Sequence, residues 1–190
     1  MSDNPLADRG RSLEEEHFRR KDREFIEKVR LAAAAQEARQ QLSAKSGLQD
    51  PELIAELQAL GFTSDTVGLL PFMPLIQVAW AEGGVSDAER KLVVQLARSR
   101  GIAEGGAADL RLQDWLKNRP SADVFARAMR LARAVVAAPG EQQAAMSGDE
   151  LVKYCESIAA ASGGIFGINR ISPEERAILA EIAAALKQPG

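Results

Sequence analysis

This chain of 190 residues has one cysteine, one histidine and one tyrosine, and aromatic residues make up only 5% of it. A single thiol, Cys155, leaves no partner for an internal disulfide and fits a reducing compartment. A single imidazole, His17, falls in a highly charged N-terminal stretch. That placement excludes a histidine-built metal site and a Ser-His dyad in the core. Charge of one sign is also missing: 24 Lys and Arg stand against 27 Asp and Glu, a formal net charge of -3. A general nucleic-acid surface needs a basic excess to neutralise phosphates, so no nucleic-acid partner is expected.

Long apolar runs are absent as well. The longest, "VGLLPFMPLIQVAWA" from Val67 to Ala81, contains Pro71 and Pro74 and is too short to span a bilayer. The start, "MSDNPLADRGRSLEEE", has no apolar stretch and does not read as a secretory signal. The expectation is a cytoplasmic protein without a membrane span. No G-x-x-x-x-G-K-[ST] loop occurs. Cys155 sits among apolar neighbours and reads as a buried structural thiol rather than a nucleophile. Trp80 and Trp115 read as core. Together these exclusions leave little for enzyme chemistry to use.

What the chain does have is alanine, and segments with helical periodicity; no segment keeps a period-two alternation. The fold class expected is all-α. Residues 12–45 contain no proline and no glycine, and Ser12 with Glu15 spells a capping box at the start of a long helix. Glu16 with Arg20 and Glu24 with Lys28 stand four apart, as on an exposed helix. Phe18, Phe25, Ile26 and Val29 form a narrow apolar stripe on it. That stripe docks on its own domain, on a second copy, or on a protein partner. "SGLQDP" ends the helix, giving an N-terminal extension at 1–48 and a helical domain at 49–190. Helices are expected at about 51–60, 70–82, 87–100, 107–118, 121–138, 149–161 and 173–187, a bundle of about seven.

The bundle carries an internal repeat. "VSDAERKLVVQLA" from Val85 to Ala97 matches "ISPEERAILAEIA" from Ile171 to Ala183. Ser86 aligns with Ser172, Glu89 with Glu175 and Arg90 with Arg176, and each copy follows an apolar helix ending in paired glycines. Two related helix-turn-helix halves follow from this. The stretch "AWAEGGVSDAER" is also spelled like the end of a calcium-binding loop. With Gly83 at position 6 and Glu89 at position 12, however, positions 1 and 3 are Val78 and Trp80, which offer no side-chain oxygen. In the second copy the same positions are Gly164 and Phe166. A duplicated S-x-x-E helix start accounts for both stretches without calcium.

An apolar helix ending in Ala81, Glu82 and Gly83, followed by the cap Ser86 and by Glu89, resembles the TerB-like family of the tellurite-resistance TerB type. "SGGIFGINRISPEER", Ser162 to Arg176, looks like the second half of the same domain, and the resemblance covers about residues 65–188. It implies a compact bundle of about seven helices and a link to stress or tellurite resistance. It also implies action through acidic residues near the turns, with metal ions or in membrane-associated complexes. Carried over by residue, a divalent-metal site would use Glu82, Asp87 and Glu89. Glu82 stands where the family has aspartate, and the second turn carries Asn169 and Arg170, the latter repelling a cation.

Two functional readings result. One is a non-enzymatic interaction module that binds a protein partner, or itself, through Phe18, Phe25, Ile26 and Val29, with peripheral association to a membrane complex. The other is a divalent-metal sensor built on the acidic turn. No other cofactor is implied.

Overall fold

A computed structural model describes residues 5–137, 148–162 and 171–187. All regular structure among them is helical. The elements are α1 (Pro5–Ser46), α2 (Pro51–Ala59), a 3-10 segment (Val67–Phe72), α3 (Met73–Ala79), α4 (Asp87–Ser99), α5 (Ala107–Lys117), α6 (Ala122–Ala137), α7 (Gly148–Ser162) and α8 (Pro173–Lys187). The chain forms two units, Met1–Gln40 and Gln41–Gly190.

The first unit is the greater part of α1. This helix begins at Pro5, so Ser12 lies inside it and not at its cap, contrary to the S-x-x-E reading of that position. Proline suits the first turn of a helix because its missing N–H has no partner there in any case. Gly10 costs only about 1 kcal/mol in a helix interior, too little to stop one. The last turn of α1 belongs to the second unit, where Leu42 and Ser46 are buried.

The second unit is built around α3. Six of its seven residues are buried, all but Gln77. A helix that is apolar all round must be enclosed, and α4, α6, α7 and α8 all pack against it. The apolar run does not start as an α-helix. Pro71 and Pro74 lack the N–H that an α-helical ladder needs, and Val67–Phe72 winds as 3-10 instead.

The two halves of the repeat are α3–α4 and α7–α8. Ser86 caps α4, and Glu89 N–H donates to Ser86 Oγ at 3.3 Å while Ser86 N–H donates back to Glu89 Oε2 at 2.7 Å. At α8, Ser172 N–H donates to Glu175 Oε2 at 2.7 Å and Glu175 N–H to Ser172 Oγ at 3.1 Å. Both halves therefore start their second helix with the same reciprocal pair of bonds.

Polar ties fix the remaining helices. Asp50 caps α2 by accepting from Glu52 N–H at 2.8 Å. Glu56 of α2 accepts from Arg127 at 3.1 Å and from Arg130, both on α6. The Arg130 hydrogen bond, helped by that from Arg127, holds the Glu56 carboxyl below its ordinary range. Asp109 of α5 accepts from Gly105 N–H and from Arg98 of α4, each at 2.8 Å, which closes the α4–α5 loop.

Candidate functional site

The acidic turn lies between α3 and α4. Gly83 follows Glu82 with φ at 85°, a conformation glycine adopts without strain, and this turns the chain toward the Ser86 cap. The three predicted carboxylates have different surroundings. Glu82 and Asp87 are exposed, and Asp87 stands in the first turn of α4, where a negative charge suits the helix end. Glu89 is buried, and its Oε2 accepts from both the N–H and the Oγ–H of Ser86 at 2.7 Å. Burial pushes its pKa up, the two Ser86 bonds oppose this, and the charges of Glu175 and Glu82 push it up further. The fold thus brings Glu175 and Glu82 within electrostatic reach of Glu89, joining carboxylates from both halves of the repeat. Among the described residues, no group of three or more His, Cys, Asp or Glu side chains is arranged to hold a metal ion. Gly164, Phe166, Asn169 and Arg170 of the second turn lie outside the described residues.

The predicted binding residues sit together on α1. Phe18, Phe25, Ile26 and Val29 are exposed to between 50% and 68%, and Leu31, which the stripe reading passed over, is equally open. Leu31 stands two residues after Val29, about 200° round the helix, and so lies off the stripe. His17, at the head of the stripe, accepts from the Arg20 guanidinium at 3.3 Å.

The remaining candidates for chemistry are enclosed or inert. Cys155 is buried on α7, and burial pushes its thiol up to about 12, far from a reactive thiolate. Trp80 Nε1–H donates to the Trp115 carbonyl at 2.8 Å, which fastens the end of α3 to that of α5. A cavity of about 420 Å³ opens between the 3-10 segment and the start of α5; Lys45, Asp65 and Arg100 are its charged lining.

One side-chain cluster was not foreseen. The Arg111 guanidinium lies 4.9 Å from the centre of the Phe62 ring and 4.8 Å from that of Trp115. It donates to the Leu60 carbonyl at 2.7 Å and also to the Gly61 carbonyl. It therefore caps the C-terminus of α2 while covering two aromatic faces. A β-carbon at Gly61 would stand 3.3 Å from Arg111, and the φ of 75° there already favours glycine. Only the glycine was visible in the sequence, because the arginine comes from a distant helix.

No family model matches this chain, and no curated protein or solved structure matches it. No described helix is long and apolar enough to cross a membrane.

Proposed function

We propose that this chain is a non-enzymatic interaction module of a bacterial stress response of the tellurite-resistance type. It binds a protein partner through α1 and through the bundle surface. One observation carries the reading: among the described residues, five of the seven exposed large apolar side chains lie on α1, from Phe18 to Leu31. Apolar groups gathered on one highly charged helix mark a contact surface far more often than scattered exposure does. Supporting the non-enzymatic part, Cys155 is buried with a raised pKa, and the single histidine sits beside Arg20 on the exposed helix. The stress-response part rests on the TerB-like motif residues Ala81, Glu82, Gly83, Ser86 and Glu89. The test is capture of a partner from a lysate by the full chain and by the Phe18→Ala/Phe25→Ala variant. A partner held equally by both would remove α1 from the binding surface.

A second reading, divalent-metal sensing at Glu82, Asp87 and Glu89, is favoured by the pKa of Glu89, which burial raises first and the charges of Glu175 and Glu82 raise further, a repulsion a cation would relieve. Against it, Glu89 Oε2 is already committed to two Ser86 donors. A titration with calcium, manganese or zinc followed by Trp80 fluorescence separates the two readings. Saturable one-to-one binding would favour the sensor.

A further inference from the structure

Charge is spread unevenly along the chain. Between His17 and Leu31 six Lys and Arg stand against three Asp and Glu, a basic excess in a chain whose formal net charge is -3. All of these positions are helical and exposed.

At about 100° per residue the side chains of this stretch sort by direction round α1. Phe18, Phe25 and Val29 fall within about 40° of one another, and Ile26 stands about 60° beyond Val29. The apolar face is therefore roughly 100° wide. Lys21 and Lys28 border it on one side, about 40–60° beyond Phe25. Arg19, Arg30 and Arg23 border it on the other, about 20–60° beyond Ile26. Glu24, Glu27 and Arg20 lie on the opposite side of the helix. Five of the six basic residues thus flank the apolar face, and two of the three acidic ones stand away from it. Asp22 is the exception, within the face between Val29 and Ile26.

Basic residues on both borders select what the face can meet. A second α1 laid on it, parallel or antiparallel, sets basic border against basic border. A protein groove would need an acidic rim on both sides. An anionic membrane surface is flat and of one sign, and meets both borders at once. Long Lys and Arg side chains keep their charge at the headgroups while phenylalanines enter the acyl boundary. We propose that the Phe18–Val29 face of α1 lies on an anionic lipid surface. The proposal rests on the reading of α1 as a contact surface and adds lipid as a second occupant, which competes with a protein partner for the stripe.

The test is co-sedimentation of the full chain with vesicles of phosphatidylglycerol and phosphatidylcholine in equal parts, and with vesicles of phosphatidylcholine alone. Binding is expected to the first only, and it should weaken as salt is raised. Lys21→Gln/Lys28→Gln should weaken it roughly 25-fold, at about fivefold for each basic residue near the surface. Arg20→Gln, the same loss of charge on the far side, should weaken it less than Lys28→Gln does. Phe18→Ala/Phe25→Ala should lose most of it. Asp22→Asn should tighten it, because it removes the one negative charge from the face. All of these positions are exposed, so melting should not change. Equal binding to both kinds of vesicle, binding to neither, equal losses for Arg20→Gln and Lys28→Gln, or an Asp22→Asn variant no tighter than the wild type would each overturn the proposal. A chain that ignores vesicles but still captures a protein through Phe18 and Phe25 would overturn the lipid occupant alone and leave α1 as a contact surface. Vesicle binding lost in Phe18→Ala/Phe25→Ala, with protein capture indifferent to that variant, would support the lipid occupant and remove the protein from α1.

Discussion

Glu89 and Glu175 are the same residue of a duplicated helix start, both buried, and the charge of Glu175 helps to raise the pKa of Glu89. The repeat therefore does more than start two helices. It folds so that two capping carboxylates from separate halves are close enough to repel.

The first prediction concerns pH. With its folded pKa raised above the ordinary 4.5, Glu89 holds its proton more tightly in the folded chain than in the unfolded one. Its stabilising contribution is fully present below that ordinary value and is lost as pH rises through the folded pKa. Glu89→Gln keeps an oxygen to accept from Ser86 N–H and removes the charge. Its urea midpoint at pH 7 should equal or exceed that of the wild type, and the gap should close as the pH falls below the ordinary value. A variant less stable at pH 7 by as much as Glu89→Ala would mean the charge itself is needed.

The caps give a second prediction. Ser86→Ala and Ser172→Ala should each cost about 1 kcal/mol, the usual loss on removing an N-cap hydroxyl. Because Glu89 and Glu175 interact, the double variant should depart from the sum of the single effects. Denaturation midpoints of the three variants measure both quantities. Unchanged midpoints for the single variants would remove capping as the reason for the repeat.

Arg111 gives a third. Arg111→Ala removes the cap from α2 and the cation from two aromatic faces, and should cost roughly 1–3 kcal/mol. Trp115 fluorescence should report the change. Gly61→Ala should also destabilise, because its φ of 75° is a left-handed conformation that costs a side-chain-bearing residue about 1–2 kcal/mol. A Gly61→Ala variant as stable as the wild type would mean that the turn relaxes.

What could be read from the sequence followed the range of the interaction. The caps at Ser86 and Ser172 were legible because their bonds close within three residues. The all-helical fold and the separate charge pattern of α1 were legible from periodicity and composition. Ser12 misled because the same S-x-x-E spelling also fits a helix interior, and Pro5 supplied an earlier start. The 3-10 start before α3 was only half legible, since Pro71 and Pro74 signal irregularity without choosing its form. The approach of Glu89 to Glu175 and the seat of Arg111 on Phe62 and Trp115 depend on how distant helices pack, which no local pattern encodes.

The central claim is that the apolar stripe of α1 serves binding and the bundle does not need it for stability. Thermal and urea unfolding of the full chain and of Phe18→Ala/Phe25→Ala, at a dilution where the chain is monomeric, tests it most directly. Leu42→Ala on the same helix is the contrast, because Leu42 is buried in the core and its truncation should cost roughly 2–5 kcal/mol. The double phenylalanine variant should lie within about 0.5 kcal/mol of the wild type, as exposed positions do. A loss of about 3 kcal/mol or more, the cost of truncating a buried phenylalanine, would contradict the account and make the stripe part of the core.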